Sequence, residues 1–246
     1  MFAQVICLLL QKISQFDTAG CMKVTNLHSW NLSYAQARDL QTELARKVRF
    51  VPFRNLPRLV AGLDCAVSTS QKRIFAAAVV IKLPQFELVE AVTASQKMTF
   101  PYIPGLLSFR EAPACIAAVE KLKTTPDAFL IDGQGIAHPR RLGLAAHLGL
   151  FLKKPAVGCA KSRLIGTFDD PPAKKGSYTL LTDGPDVIGA VLRTKTAVKP
   201  LFISVGHLCT LEDAINITLA CTTRFRLPEP ARLAHQCVGS AKNGTA

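Results

Sequence analysis

Acidic side chains are scarce in this 246-residue sequence, with 17 Asp and Glu against 30 Lys and Arg and a formal net charge of +13. That surplus exceeds what solubility asks of a small domain and points to a polyanionic substrate. Close cysteine pairs are missing as well. Cys7, Cys21, Cys65, Cys115, Cys159, Cys209, Cys221 and Cys237 are scattered without a CxxC, which excludes a zinc site or a disulfide framework and suggests reduced thiols in a cytoplasmic protein. The apolar run Val5–Leu10 is too short to span a bilayer and follows no positive charge, so neither a membrane helix nor a good signal peptide is expected. No Gly/Ser-rich linker divides the chain, and 49% of its residues are hydrophobic, enough for one large core. One domain is expected over residues 22–246. Residues 1–21 read as an atypical N-terminal extension, either disordered or an over-extended start ahead of Met22.

What is present is a set of acids in unusual places. Asp64 lies inside the apolar run Leu59–Val67, and Asp132 ends the run Ala128–Ile131. A carboxylate in a buried strand is costly unless something compensates its desolvation, and a divalent cation is the commonest partner. Each acid also has a plainer reading, as a buried Asp held by backbone donors or Arg. Glu111 follows Ser108 by three positions, the spacing of a capping box, and by spacing alone that reading is favoured over a catalytic one.

The spacing predicts a helix from Ser33 to about Val48, then strands at 58–67, 73–82 and about 86–93 joined by short turns as a β-meander. A helix follows from Ser108 through Lys123, then a strand at 127–132, a helix at 141–150 and a strand at 155–160. Strands near 177–182, 187–193 and 201–205 precede a helix at Thr210–Thr222, and His235 lies on a C-terminal helix. The order implies a mixed sheet with helices packed on it, its active site at strand ends. Asp132 opens a Gly-rich turn, Gly133-Gln-Gly-Ile-Ala-His-Pro-Arg-Arg141, without the GxGxxG of a dinucleotide site. The basic residues Arg140, Arg141, Lys161, Arg163, Arg193, Lys195 and Lys199 read as phosphate contacts. Pro101-Tyr-Ile-Pro-Gly105 presents Tyr102 on a stiff turn, either as a stacking ring or as a plug over the core.

Together, Ala61-Gly-Leu-Asp64, Pro101–Glu111, Asp132–Gly143, Val157-Gly-Cys-Ala-Lys161, Pro200–His207 and Leu227–His235 resemble the endonuclease V family of deoxyinosine-directed repair endonucleases. The resemblance covers about residues 30–238. It implies a ribonuclease H-like α/β fold, a mixed β-sheet flanked by α-helices. It also implies that Asp64, Glu111 and Asp132 are metal-binding carboxylates for Mg²⁺, with Mn²⁺ as a substitute. His235 falls near that metal, and Lys161 near the scissile phosphate. Pro101, Tyr102, Ile103, Pro104 and Gly105 match the wedge inserted at the lesion. Gly133, Gln134, Gly135 and His138, with Arg140 beside them, match the pocket for the flipped hypoxanthine. Many members carry His where this chain has Gln134. The implied reaction is hydrolysis of the second phosphodiester 3′ to deoxyinosine in DNA, leaving 3′-hydroxyl and 5′-phosphate ends. An inosine-directed ribonuclease, another nuclease of the superfamily and a silent nucleic-acid-binding module are the competing readings. No protein partner is legible.

Overall fold

The structure, a computed structural model, describes residues 22–244; the expectations for residues 1–21 lie outside them. Helix α1 (Tyr34–Ala45) is followed by β1 (Leu59–Ser68), β2 (Arg73–Lys82), β3 (Glu87–Lys97), α2 (Leu107–Val119), β4 (Ala128–Ile131), α3 (Leu144–Leu152) and β5 (Ala156–Ala160). Then come β6 (Tyr178–Asp183), β7 (Asp186–Leu192), β8 (Leu201–His207), α4 (Leu211–Ala220) and α5 (Glu229–Asn243). The strands form one sheet in the order β3-β2-β1-β4-β5-β8-β7-β6. The expected meander is there, with β1, β2 and β3 paired antiparallel. β1, β4 and β5 run parallel, and β8, β7 and β6 complete a mixed sheet antiparallel to their neighbours.

The parallel centre is apolar on both faces, as a doubly covered sheet must be. Leu63, Ile131 and Phe129 pack on one face against Cys115 and Ala118 of α2 and Leu148 of α3. Leu130, Val157 and Ile203 pack on the other against Ala214 and Ile217 of α4. Ala77 and Val79 of β2 cover Ala234 and Val238 of α5. Strand parity therefore decides which helix each β1 side chain meets. Asp64 stands opposite Ala77 and shares its α5 face, whereas Cys65 stands opposite Ala76 and shares the α2 face.

Local chemistry sets most helix ends. Ser33 and Gln36 form a capping box on α1, as Thr210 and Asp213 do on α4. The predicted capping box at Ser108 is absent. Helix α2 starts at Leu107 behind Leu106, which makes no side-chain cap, and the Ser108 hydroxyl instead shares a hydrogen bond with buried His147 at 3.1 Å. α2 also stops at Val119, short of Lys123, and α1 stops at Ala45, short of Val48.

Candidate active site

The site forms where β1 and β4 run side by side. Leu63 pairs with Ile131, and the Asp132 amide donates to Leu63 O at 3.0 Å, so Asp64 in the middle of β1 stands beside Asp132, the first residue past the end of β4. Asp64 is only 6% exposed. Its Oδ1 accepts the Cys65 amide at 2.7 Å, and its Oδ2 accepts His235 Nδ1 at 2.6 Å. The His235 side chain is 56% exposed, so its opposite ring edge faces solvent. Lys161, just beyond β5, forms a short ion pair with Asp132, and Arg226 Nη2 fastens the Lys161 carbonyl at 2.8 Å.

Ligand atoms of Asp64, Asp132 and His235 all lie within 4.8 Å of one another. Burial, and next the Asp132 charge, push the Asp64 carboxyl up, against the His235 hydrogen bond and Lys161. Two carboxylates crowded this closely in a half-desolvated place need compensating positive charge, part of which Lys161 supplies to Asp132. These residues fit a divalent ion.

Glu111 is not in that tight group. It reaches the site from α2, across β1 from the face that holds Asp64 and His235, and lines an adjoining cavity with Asp132. It still feels both Asp64 and Asp132. Burial first, and then those charges, push its carboxyl up to about 7, opposed by a Cys65 hydrogen bond and Arg110.

That adjoining cavity, about 420 Å³, is walled by Tyr102–Gly105, Ser108, Gly133, Gln134, His138 and Leu144. A second cavity of about 340 Å³ holds Asp64 and His235, and Asp132 and Lys161 line both. The Tyr102 residue is 68% exposed, with the Arg110 guanidinium 5.7 Å from its ring centroid; it is no plug over the core. Buried His138 is held neutral, its imidazole lowered to about 4 by burial and by Arg140 and Arg141.

The family model of endonuclease V matches residues 42–236, and the endonuclease V of Alkalilimnicola ehrlichii is 46% identical over 226 residues, 92% of this chain and 99% of that one. The chain belongs to the endonuclease V family. It is a nuclease, and its ribonuclease H-like mixed sheet flanked by helices is the family's fold. The endonuclease V structure from Streptomyces avermitilis aligns with a TM-score of 0.84 at 40% identity, covering 89% of this chain and 97% of that one. The endonuclease V of Ciona intestinalis aligns at 0.74 with 26% identity, covering 86% and 98%. That protein was solved with a 24mer DNA containing an inosine followed by a ribo-adenosine.

Within this member of the family, several residues do other work than their spacing suggested. Arg141 pairs with Asp183 at 2.8 Å and Asp186 at 3.0 Å, tying the pocket loop to the β6–β7 turn. Arg193 donates to Pro171, Pro172 and Val198 carbonyls. Arg140 donates to Gln41 and Gly105. These guanidiniums brace loops. The amide of Gly135, one of the residues matched to the base pocket, donates instead to buried Ser204 Oγ at 2.8 Å. Gly135 itself is required by packing, since a Cβ there would stand 2.1 Å from Val205 O. Sequence reasoning missed Ser204 and Gln41. The signal for Gln41 was a polar residue on the buried stripe of α1 between Ala37 and Leu44. The described cysteines are free, and all but Cys65 are buried. No helix among the described residues is long and apolar enough to cross a membrane.

The raised Glu111 carboxyl makes a signed prediction for metal-free protein. Its folded value, about 7, lies above the ordinary 4.5, so its contribution to stability is fully present below 4.5 and is lost as pH rises through 7. Glu111→Gln in EDTA should therefore melt with wild type at pH 4.5 but several degrees higher at pH 8.5, a gain of up to about 3 kcal/mol. Melting curves across that range decide it; an offset that does not change with pH would show that ionisation of Glu111 is not the cost.

Proposed function

We propose that this nuclease is a Mg²⁺-dependent DNA repair endonuclease that recognises deoxyinosine and hydrolyses the second phosphodiester on its 3′ side, leaving 3′-hydroxyl and 5′-phosphate ends. The observation that carries the reading is the pair of adjoining cavities, joined at Asp132 and Lys161. A base in the Tyr102–His138 cavity leaves a nearby backbone phosphate for the Asp64–Asp132–His235 rim. Recognition and scission then occupy separate places, as cleavage away from the lesion requires.

The residues divide that work by their chemistry. Exposed Tyr102 has the free π-face to stack where a base leaves the helix, and an inosine pair is cheaper to open than a normal one. Buried His138, its Nδ1 accepting the Arg140 amide at 3.1 Å, shapes the pocket wall and adds no charge that would attract phosphate. Gly133 and Gln134 complete the pocket wall, the latter held by its Nε2 on Ser162 O at 2.9 Å. His235 orients the Asp64 carboxylate. Lys161 brings positive charge to the scissile phosphate, its backbone fixed by Arg226. Asp64 and Asp132, with His235 and Glu111 beside them, would hold the Mg²⁺, which supplies Lewis-acid charge for the phosphate and lowers the pKa of a bound water.

The decisive assay compares matched deoxyinosine-DNA, inosine-RNA and undamaged strands in Mg²⁺, Mn²⁺ or EDTA. We expect nicking of deoxyinosine-DNA at the second 3′ phosphodiester with either metal, and none in EDTA. The RNA arm is included because the Ciona relative was solved with a ribo-adenosine after its inosine. Cleavage of RNA alone would turn the assignment to an inosine-directed ribonuclease; cleavage that survives EDTA would remove the metal from it. A silent binding module predicts no cleavage in any arm, and the gathered Asp64, Asp132 and His235 argue against it.

A further inference from the structure

The turn carrying Tyr102 and the loop walling the cavity are fastened together at one carbonyl. Gly105 O accepts from Gln41 Nε2 at 3.0 Å and from Arg140 Nη2 at 2.8 Å. The same Gln41 Nε2 donates to Leu142 O at 2.8 Å, and Gln41 Oε1 accepts from Arg140 Nε at 2.5 Å. One amide thus engages both of its N–H donors and its oxygen, each with a partner far away in sequence. Gln41 is 1% exposed, and a buried amide that lost any of these partners would bear a desolvation cost.

Gly105 has φ +77, and a Cβ there would stand 2.8 Å from Arg140 Nη2. Tyr102 lies three residues before Gly105, and Tyr102, Gly105, His138 and Leu142 all line the same cavity. Gln41 is not among the residues lining that cavity. It can act on a bound base only through the turn and the loop that it joins.

We infer that Gln41 is a positioning residue for lesion discrimination: it sets the separation between the Tyr102 turn and the cavity wall, with Arg140 as the second arm of the same clamp. The inference rests on the reading of Tyr102 as the group that stacks at the lesion. A residue that only stabilised the fold would change stability, and would weaken binding to all DNA alike.

The test is a double-mutant cycle on the full chain, with binding to inosine-containing and undamaged duplex measured in EDTA. Gln41→Glu keeps an oxygen for Arg140 Nε and removes both N–H donors. The preference for the inosine duplex should fall about tenfold, the equivalent of the two lost hydrogen bonds, while affinity for undamaged duplex stays within about twofold. In a Tyr102→Ala background, which itself lowers the preference, Gln41→Glu should lower it no further. An equal fall in both backgrounds, or an equal loss of both affinities, overturns the inference and leaves the Tyr102 reading standing. A Tyr102→Ala protein with unchanged preference overturns both. Should Gln41→Glu fail to fold, Arg140→Lys carries the same cycle with the same outcomes, because one ammonium cannot replace a guanidinium that bonds Gln41 and Gly105 through two nitrogens.

Discussion

Asp64→Asn and Asp132→Asn are each expected to lower nicking at least about a hundredfold in saturating Mg²⁺, equivalent to roughly 2.7 kcal/mol of transition-state stabilisation. The reason is charge at almost constant volume. Each change removes one anionic oxygen donor from a group of ligand atoms lying within 4.8 Å, and a carboxamide is a much weaker ligand for a hard cation. The fold should not suffer. Burial and the neighbouring Asp132 already raise the Asp64 carboxyl, so a neutral amide relieves a cost, and its oxygen can still accept the Cys65 amide. His235 can answer the new NH₂ by presenting an unprotonated Nδ1. Asp132→Asn loses only a partly exposed pair with Lys161. Melting temperatures within a few degrees of wild type, together with lost nicking, are the expected result. Nicking within a few-fold of wild type in either variant would remove that residue from the metal site.

Gly62→Ala is expected to lower stability by about 3 kcal/mol, a fall in melting temperature of roughly 6–12 °C, and to lower nicking with it. A Cβ at Gly62 would lie 2.0 Å from the carbonyl carbon and oxygen of Pro230, so β1 and the first turn of α5 meet backbone to backbone. The helix has little room to retreat. The Glu229 amide donates to Cys221 O at 2.8 Å, and its carboxylate takes a short hydrogen bond from Thr223 Oγ1. Pushing α5 outward strains these bonds and carries His235 away from Asp64. Gly239→Ala is the control on the same helix. Its Cβ meets nothing within 4 Å, and Gly to Ala at a helical site should be neutral or stabilising by about 0.4–1 kcal/mol. Equal melting temperatures for the two variants would mean that α5 is not seated on Gly62.

Much of this was legible in local sequence because local forces made it. Runs rich in Val, Ile, Ala and Phe joined by short turns marked β1–β3, and Thr210 with Asp213 shows how a cap encoded within four residues survives in the fold. The charges of Asp64 and Asp132 stood out because a carboxylate among Val, Leu and Ile needs compensation wherever the strand ends up. Ser108 shows the opposite case. Its spacing to Glu111 fits a capping box, but His147, 39 residues on, holds its hydroxyl. Gly135 and Arg140 were misread for the same reason, since Ser204 and Gln41 lie 69 and 99 residues away.

The sequence by itself determined the family and the α/β class and marked the candidate acids and the Pro101–Gly105 turn, since each rests on residue type, short spacing or ordered motifs. Tertiary structure alone decided which groups meet. Strand order made β1 and β4 parallel neighbours and so brought Asp64 beside Asp132. Parity then put Asp64 on the α5 face with His235, and left Cys65 facing α2, from which Glu111 approaches. Packing also chose a partner for each buried donor, turning Gln41 and Arg140 into a clamp on Gly105. A hydrogen bond is satisfied by whichever acceptor the fold brings within about 3 Å, and distance along the chain does not specify that choice.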